Sequence, residues 1–448
     1  MPTRKYDIQP TILIIIGVTG DLSKRKLIPA VKQILKTVTP GSLRVLGVTR
    51  NNLSPEDILG DAEETKTLRS NFDVYQMNLT SVDDYKKLND YLLAKEKALG
   101  IHLQKLFYLS VPPQISLPIV ELLGESGIAA GPNTKLLLEK PFGVDLESAR
   151  DLIAKAKSHF KEDQIYRIDH YLAKEMTQNI VVFREKNSLF RSTWNNNFIE
   201  SIEIIATEKI GIEGRATFYE QTGALRDLIQ SHLLQLAALV LADVSLVEHS
   251  DISEARLKAL RQISTPQDIT RQVIRGQYEG YKDEVGTPHS TVETFVSLTL
   301  TSKDPRWENV PIQLTTGKAL GKKTTEVRIK YKQESADESN VLVLRIQPNE
   351  GIEIELWAKE PGYDNELQKV PLLFSYDNNA RLLPEAYERI FMDAIRSDHA
   401  LFTTSDEVLE TWRILDPIQK AWEMDSSDLI YYKPGMMPKI DIDNSVRS

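Results

Sequence analysis

Short apolar runs and amphipathic stretches alternate along the first third of the chain. The apolar runs are TILIIIG, LRVLGVT, FDVYQMN, KLFYLSV, TKLLLEKPF and QIYRID, all between residues 11 and 169. Consecutive apolar positions are typical of parallel strands that are buried on both faces. The stretches between them, such as LESARDLIAKAKSHF, carry serine or acidic residues near their start, which favour a helix N-terminus. This alternation predicts a doubly wound, Rossmann-type α/β domain.

The pattern changes after residue 170. A long helical segment, LRDLIQSHLLQLAALVLADV, is followed by strand-like runs such as TVETFVSLTLT and VLVLRIQPNEGIEIELWA, and helices return near the C-terminus. Strands grouped in this way predict an α+β domain with a mostly antiparallel sheet. We therefore expect a dinucleotide-binding domain at residues 1–168 and a larger α+β domain at residues 169–448, which binds the substrate and forms the oligomer.

Composition narrows the class of protein. The 448 residues carry a net charge of −9 with no long basic run, which argues against nucleic acid or an anionic membrane as a partner. The absence of cysteine excludes disulfides and zinc–cysteine sites, and we expect no metal. The apolar hexamer near the N-terminus is too short for a signal sequence or a membrane span. These features predict a cytoplasmic enzyme or binding protein.

The first predicted strand leads into GVTGDLSKRKLIPAV, where Gly17 and Gly20 bracket a turn before a helix. Backbone N–H groups at such a turn, together with the helix dipole, can bind a pyrophosphate. The cations Lys24, Arg25 and Lys26 oppose the dipole, so a nearby anion would stabilise them. A plain turn between strand and helix remains the alternative, because the spacing is G-x-x-G rather than G-x-G-x-x-G.

The residues after the second predicted strand indicate which dinucleotide binds. An NAD site offers an acid to the ribose 2′-hydroxyl group, whereas VTRNN here offers Arg50 and no acid over the next five residues. Arginine forms forked, charge-assisted hydrogen bonds with a phosphate. NADP is therefore preferred over NAD, and a solvated charge at a strand end is the alternative interpretation of Arg50.

Two polar pairs follow later strands. Glu139 and Lys140 end the run LLLEKPFG, and Asp169 and His170 end the next run. Ligands of doubly wound sheets bind outside the carboxyl ends of the strands, so the two pairs define one candidate pocket. Taken alone, Lys140 is better explained as a surface lysine before a proline turn.

His232 lies on the apolar stripe of the long helical segment. It follows Leu228 by four residues and precedes Leu236 by four, which predicts a side chain that faces the interior. A core histidine bonded to a backbone carbonyl is one interpretation. A buried histidine also needs an orienting acceptor, and if Asp169 supplies it, His232 becomes a general base.

Several motifs in this order resemble one known family. They are GVTGDLSKRKLIPA, EKPFG, YRIDHYLAKEMTQN, YEQTGALRDLIQSHLLQL, YEGYKDEVGTPHSTVETFVSL, GKAL, IQPNE and YERIFMDAI. Together they span nearly the whole chain, and RIDHYLAKE is the most specific. On these motifs the chain is similar to the glucose-6-phosphate dehydrogenases.

The resemblance implies a role for each matching residue. Arg50 would bind the 2′-phosphate of the coenzyme. The other coenzyme phosphates would be bound by residues of the loop after the first strand, namely Gly17, Thr19, Gly20, Asp21, Leu22 and Lys24. Lys140 would touch both substrate and nicotinamide. The sugar phosphate would be bound by His170, Tyr171 and Lys174. The remaining substrate contacts would come from Glu208, Asp227, Lys318, Lys323 and Gln347.

The resemblance also implies the chemistry. His232 would take the proton from the C1 hydroxyl group of glucose 6-phosphate, and Asp169 would stabilise the imidazolium that results. A hydride would pass from C1 to the nicotinamide, giving 6-phosphogluconolactone, which is the first oxidative step of the pentose phosphate pathway. The protein has to supply the base, because the nicotinamide cannot. A homodimer or homotetramer is implied as well.

Departures from the family pattern modify these expectations. Some members bind a second, structural NADP, but here Glu353 and Glu355 stand where a phosphate would be repelled, so we expect no structural NADP. Lys323 takes the place of a family arginine, which weakens one substrate contact. Two alternatives stay open: an oxidoreductase acting on an unphosphorylated aldose, and a non-catalytic NADP-binding protein.

Overall fold

The computed structural model of the chain describes residues 5–131, 133–244, 252–333, 338–376 and 383–439. Its internal contacts divide the chain into two compact units, each described by itself below. Unit 1 consists of Met1–Gly143, Glu147–Ala173 and Pro384–Ser405, and unit 2 consists of Val144–Leu146, Lys174–Leu383 and Asp406–Ser448.

The strands lie close to the runs that the sequence pattern predicts. They are β1 (Thr11–Ile16), β2 (Leu43–Thr49), β3 (Phe72–Gln76), β4 (Gln104–Leu109), β5 (Thr134–Leu138), β6 (Ile165–Ile168), β7 (Ile199–Thr207), β8 (Ile263–Ser264), β9 (Val273–Tyr278), β10 (Phe295–Ser302), β11 (Ile312–Gly317), β12 (Thr324–Tyr331), β13 (Val341–Gln347), β14 (Gly351–Lys359), β15 (Leu367–Ser375), β16 (Phe402–Thr403) and β17 (Leu429–Tyr432).

The α-helices are α1 (Ile28–Thr37), α2 (Pro55–Leu59), α3 (Lys66–Arg69), α4 (Val82–Leu99), α5 (Pro113–Glu125), α6 (Leu146–Lys157), α7 (Glu175–Lys186), α8 (Ser188–Thr193), α9 (Ala216–Ala224), α10 (Leu234–Leu241), α11 (Ile252–Gln262), α12 (Ile269–Gln272), α13 (Tyr281–Val285), α14 (Ala386–Arg396) and α15 (Ser405–Met424). Two of the described segments are π-helical, Ser23–Leu27 before α1 and Leu225–Leu233 before α10.

The sheet of unit 1 has the order β16-β6-β5-β4-β1-β2-β3. Strands β1 to β6 are parallel to their neighbours, and β16 pairs antiparallel with β6. Every residue of β1 and β5 is buried, as a sheet covered on both faces requires. The order 3-2-1-4-5-6 is that of a Rossmann fold, in which the ligand binds where the strand order reverses beside β1. The expected Rossmann-type domain is confirmed.

The chain returns to unit 1 near its C-terminus, in Pro384–Ser405. The apolar stripe of α14 is buried in the core of unit 1 through Ala386, Ile390, Phe391, Ala394 and Ile395. Full burial of a large apolar side chain contributes about 2 kcal/mol, which is enough to anchor the helix. The compact units therefore differ from the predicted division at residue 168, because a helical pattern does not reveal which core the helix joins. As a statement about functional domains, the division stays a prediction.

Unit 2 contains the larger sheet, with the order β15-β14-β13-β12-β7-β11-β10-β9-β17 and β8 paired to β10. Most neighbours are antiparallel, while β7 with β11 and β9 with β17 are parallel. The expected α+β domain with a mostly antiparallel sheet is thus confirmed. The parallel pairing of β7 with β11 matters for the site, because both strands leave the sheet at the same edge.

Buried side chains hold the C-terminal end of α10 in unit 2. The last carbonyl groups of a helix have no partners within it and need donors from elsewhere. Here the carbonyl groups of residues 239–242 accept hydrogen bonds of 2.8 to 3.0 Å from buried side chains. Arg184 donates to Leu239 and Ala242, Trp194 donates to Val240, and Trp307 donates to Leu241. Burial lowers the pKa of Arg184 to about 9.

Within the described residues one helical run, Ala216–Leu241, is long and apolar enough to cross a membrane. In the structure 83% of its most apolar stretch is buried inside the protein.

Candidate active site

The turn after β1 approaches the end of β4 so closely that only glycine fits. Gly17 has a φ of +88°, and a Cβ atom there would lie 2.3 Å from the carbonyl oxygen of Ser110. The hydroxyl group of Ser23 donates to Oγ of Ser110 at 2.8 Å, which fixes the distance between the two strand ends. The structure thus forms the backbone cradle that a pyrophosphate needs.

The rest of this loop is tightly hydrogen-bonded. Gly20 donates its N–H to the carbonyl group of Gly17 at 3.0 Å and accepts the N–H of Lys24 at 3.1 Å. Arg25 forms an ion pair of 2.7 Å with Asp21. One of the three predicted cations is therefore balanced within the loop, whereas the side chain of Lys24 is exposed.

Other predicted coenzyme residues lie at the same sheet edge. Thr19 and Leu22 are half-buried in the loop after β1. Arg50 follows β2, the parallel neighbour of β1, and its side chain is exposed. The carbonyl group of Arg50 accepts a hydrogen bond of 3.2 Å from Gln76 at the end of β3. The backbone at Arg50 is thus fixed while its guanidinium group faces solvent, where a phosphate can reach it.

Glu139 and Lys140 follow β5 at this edge. Tyr108 and Tyr387 both donate hydrogen bonds to Oε1 of Glu139, the latter at 3.0 Å. Burial raises the pKa of the Glu139 carboxyl group, and the two phenols and Lys140 partly offset that shift. The backbone that presents Lys140 is therefore held by a carboxyl group with two fixed donors.

Asp169, His170 and Tyr171 follow β6 as predicted. Asp169 is 3% exposed, and its Oδ1 accepts the backbone N–H of Tyr171 at 3.0 Å. Its carbonyl group accepts the N–H of Leu172 at 3.1 Å, which closes a turn. The rings of His170 and Tyr171 lie 5.1 Å apart in an edge-to-face arrangement. Unit 1 thus places every predicted residue from Gly17 to Tyr171 along the edge where its parallel strands have their carboxyl ends.

In unit 2, three predicted substrate residues form one charged cluster. Thr207 and Gly317 are partners at the ends of parallel strands β7 and β11, so Glu208 and Lys318 leave the sheet together. The buried Nζ of Lys318 donates to Oε2 of Glu208 and lies 3.9 Å from Oδ2 of Asp227. A buried ammonium group between two carboxylates offers donors and acceptors side by side, which suits neighbouring sugar hydroxyl groups.

His232 and Asp227 lie on the π-helical segment Leu225–Leu233. His232 is 1% exposed among the buried stripe residues Leu225, Leu228, Ile229, Leu233 and Leu236. The predicted interior position is therefore confirmed. π-Helical turns occur frequently at functional sites, because the wider turn changes the direction in which its side chains point.

Lys174 marks the start of α7 in unit 2. Its Nζ lies 3.9 Å from Oε1 of Glu350, while Oε2 of the same carboxylate accepts the backbone N–H of Met176 at 2.8 Å. Glu350 thus fixes both the first turn of α7 and the lysine. A phosphate at Lys174 would also face a helix N-terminus, which favours anions.

Gln347 and Lys323 are placed less tightly. Gln347 ends β13 and donates to Oγ1 of Thr325 at 3.1 Å, while Lys323 lies exposed in the turn before β12. Elsewhere on this sheet, Arg328 pairs with Glu355 at 3.2 Å and Arg345 pairs with Glu353.

His232 and Lys174 belong to unit 2 and Asp169 to unit 1, so the expected pairing of His232 with Asp169 stays a prediction.

Sequence reasoning missed two residues that hold predicted site residues. Tyr387 contacts Glu139 from 248 positions away, and Glu350 contacts Lys174 from 176 positions away. Both lie in motifs that carried the family resemblance, YERIFMDAI and IQPNE. The motifs therefore marked the segments, but neither periodicity nor spacing indicated what the side chains contact.

Comparison with known proteins assigns both halves of the chain. Residues 14–179 match the family model described as glucose-6-phosphate dehydrogenase, NAD binding domain, and residues 181–446 match the model of the C-terminal domain. Glucose-6-phosphate 1-dehydrogenase of Borreliella burgdorferi is 37% identical over 92% of this chain and 91% of its own length. The Bacillus subtilis protein of that name is 34% identical over 97% of this chain and 96% of its own.

A solved structure extends the similarity to three dimensions. It is described as glucose-6-phosphate dehydrogenase in complex with its substrate glucose-6-phosphate, and it shares 29% sequence identity with a TM-score of 0.90. The match covers 98% of this chain and 96% of the other. The chain belongs to the glucose-6-phosphate dehydrogenase family, a family of oxidoreductases.

Proposed function

We propose that this chain oxidises glucose 6-phosphate at C1 to 6-phosphogluconolactone and uses NADP in preference to NAD. Family membership supports the reaction, and the glycine cradle at the end of β1 is the observation in this structure that carries the coenzyme site. At Gly17 a Cβ atom would lie 2.3 Å from the carbonyl oxygen of Ser110, so this position, beside the switch point of the sheet, has room for backbone atoms alone.

The residues that would hold the coenzyme fit an anionic dinucleotide. The loop from Gly17 to Lys24 would bind the pyrophosphate through backbone N–H groups and the cation of Lys24. Arg50 would bind the 2′-phosphate, because its exposed guanidinium group can form a bidentate contact, and residues 51–55 contain no acid that would compete for it. Held by these residues, the coenzyme would supply the acceptor for the hydride that leaves C1.

His232 is the proposed general base. Its place on a buried helix shields the imidazole from bulk water, so that the ring can take the proton of the C1 hydroxyl group as the hydride leaves. Asp169 is proposed to stabilise the imidazolium that forms. This pairing rests on the family resemblance and on the burial of each residue within its own unit.

Substrate binding is proposed to divide into an anchor and a reacting end. His170, Tyr171 and Lys174 would bind the phosphate, and the energy of that contact would orient C1. Lys140 and Lys318 with its two carboxylate neighbours would contact the hydroxyl groups and the ring. Weaker contacts are proposed for two further residues, Lys323 and Gln347.

We propose no structural second NADP and no metal. The two arginines that a second phosphate would need, Arg328 and Arg345, each pair with a glutamate on β14. A homodimer or homotetramer in the cytoplasm is proposed as well. Support comes from the edge strand β15, which exposes a contiguous apolar stretch, Leu372, Leu373 and Phe374.

A spectrophotometric assay, together with calorimetry of coenzyme binding, tests the proposal and both alternatives. The purified chain is mixed with NADP or NAD and with glucose 6-phosphate or glucose, and absorbance of the reduced nicotinamide is followed. The proposal requires the fastest turnover with NADP and glucose 6-phosphate. Equal rates on glucose would favour an aldose oxidoreductase, and coenzyme binding in calorimetry without turnover on any hexose phosphate would favour a non-catalytic protein.

A further inference from the structure

We propose that Glu293 is a positioning residue for the helix that carries Asp227 and His232. The inference rests on the proposed roles of these two residues, and it adds a residue in a distant loop that determines where their helix begins. Glu293 lies two residues before the start of β10, is 8% exposed, and belongs to unit 2 together with the helix.

The helix starts at a sharp break near the end of α9. Gly223, the second-last residue of α9, has φ +63° and ψ 178°, so the helix that continues into the π-helical segment begins after it. The first N–H groups after such a break have no partner within the helix and need acceptors from elsewhere. Both acceptors come from Glu293: its backbone carbonyl group accepts the N–H of Ala224 at 2.9 Å, and its Oε1 accepts the N–H of Leu225 at 2.9 Å.

Gly223 makes room for this carboxylate. A Cβ atom on Gly223 would lie 2.4 Å from Oε1 of Glu293 and 2.8 Å from Oε2, so any larger residue would displace the side chain. The positive φ independently favours glycine there. The break in the helix and the carboxylate that occupies it therefore depend on each other.

The residue after Glu293 holds the other half of the cluster. The carbonyl group of Thr294 accepts the backbone N–H of Lys318 at 2.9 Å, and Tyr432 donates to the Lys318 carbonyl group at 2.8 Å while hydrogen-bonding Oγ1 of Thr294. Glu293 and Thr294 are consecutive, so one rigid stretch sets both the helix that carries Asp227 and the backbone of Lys318. The 3.9 Å between Lys318 and Asp227 is the distance that this stretch fixes.

The test is a set of variants with kcat and KM measured for both substrates. Glu293→Ala removes the acceptor, and Glu293→Asp shortens it by one methylene group. Glu293→Gln keeps an oxygen within reach of Leu225. We expect Ala and Asp to lower kcat by about 10- to 100-fold, because small displacements of catalytic groups are costly, while Gln recovers most of the rate. KM for NADP should stay within about twofold in all three, since the coenzyme residues lie elsewhere.

A core variant separates positioning from general loss of stability. Leu300→Ala opens a cavity on β10, the strand that follows Glu293, and leaves the bond to Leu225 intact. It should lower the melting temperature as Glu293→Ala does while retaining a much larger share of kcat. If Glu293→Ala does not fold, Glu293→Asp and Gly223→Ala carry the test.

Three results would overturn the inference: wild-type kcat in Glu293→Asp, an equal loss in Gln and Ala, or the same kcat loss in Leu300→Ala at the same melting temperature. His232→Asn is measured alongside. Unchanged turnover in that variant would refute the proposed base, which is a different failure from wild-type kcat in the Glu293 series.

Discussion

The hydroxyl group of Tyr387 donates a hydrogen bond of 3.0 Å to Oε1 of Glu139, although 248 positions separate the two residues in the chain. Tyr387 lies on α14, the helix by which the C-terminal region returns to unit 1. Glu139 directly precedes Lys140, for which a contact with substrate and nicotinamide is proposed. The segment Pro384–Ser405 thus supports the loop that presents Lys140, in addition to completing the core of unit 1.

Tyr387→Phe should destabilise the protein by about 1 to 2 kcal/mol, because it removes one donor from a poorly solvated carboxyl group. Burial already holds the pKa of Glu139 above its ordinary value of 4.5, and loss of the phenol should raise that pKa further. A raised carboxyl pKa means that the unfolded state loses its proton first, so stability falls as pH rises above 4.5. The difference in melting temperature between variant and wild type should therefore be larger at pH 8 than at pH 5.

Tyr85→Phe is the matched control. Tyr85 is also buried in unit 1, but its hydroxyl group donates to a backbone carbonyl group, that of Leu79, which does not titrate. Tyr85→Phe should lower the melting temperature by the same amount at pH 5 and at pH 8. If Tyr387→Phe also lowered it by the same amount at both pH values, that result would contradict the assignment of Glu139 as the titrating partner.

Much of the fold can be predicted from short stretches of sequence, because a buried strand or helix face shows a recognisable pattern of apolar residues. Strands β1 and β5 are buried on both faces and therefore read as unbroken apolar runs. The two-residue strand β16 is too short to show such a pattern. Its pairing with β6 joins segments that are more than 200 residues apart in the chain. The stripe of α14 predicts a helix correctly but is compatible with either core.

The site shows the same limit. Parallel strands must end at one edge, so the placement of the Gly17 loop, Lys140 and Asp169 at that edge was predictable. The interior position of His232 followed from its helical spacing. The contact of Glu350 with Lys174 could not be predicted in this way, because it joins a turn to a helix start with no periodic relation between them.

Lys135 should make the stability of the protein depend on pH in the alkaline range. Its Nζ donates to the carbonyl group of Ala394 at 2.5 Å and to Oγ of Ser397 at 2.8 Å, at the end of α14. Burial lowers the pKa of Lys135 from 10.5 to about 8. Between these values the unfolded state binds more protons than the folded state, so stability rises with pH.

Lys135→Met should abolish this rise. The free energy of unfolding of the wild type, relative to the variant, should increase by up to about 3 kcal/mol between pH 8 and pH 10.5, since one pKa unit corresponds to about 1.4 kcal/mol. Denaturant titrations at several pH values measure the difference. Lys97→Met, an exposed lysine near the end of α4, should run parallel to the wild type. A constant gap for Lys135→Met would refute the buried-lysine interpretation.

Arg50→Ala should weaken binding of NADP far more than binding of NAD. Loss of charge-assisted hydrogen bonds to a phosphate costs about 1.5 to 3 kcal/mol, which corresponds to a rise in KM for NADP of about 10- to 100-fold. KM for NAD should change little, because NAD has no 2′-phosphate. Arg44→Ala, near the opposite end of β2, is the control and should leave both constants unchanged. A parallel rise for NAD and NADP would place Arg50 outside the 2′-phosphate site.

His232→Asn should lower kcat by about 1,000-fold, which is typical for loss of a general base. KM for glucose 6-phosphate should change little, since the phosphate anchor and the Lys318 cluster remain. His289→Asn, an exposed histidine in the same unit, serves as the control. Retention of more than a tenth of the wild-type kcat in His232→Asn would show that another group takes the proton.

Lys174→Ala distinguishes a phosphorylated substrate from a free sugar. The lysine lies 3.9 Å from Glu350, so its removal would leave that carboxylate facing the phosphate and add repulsion to the lost contact. We expect KM for glucose 6-phosphate to rise by about 100-fold, the upper end for a charged hydrogen bond. Any slow turnover of glucose should be unaffected. Lys186→Ala, at the other end of α7, should behave as the wild type. If Lys174→Ala changed KM for both sugars alike, the lysine would bind the ring rather than the phosphate.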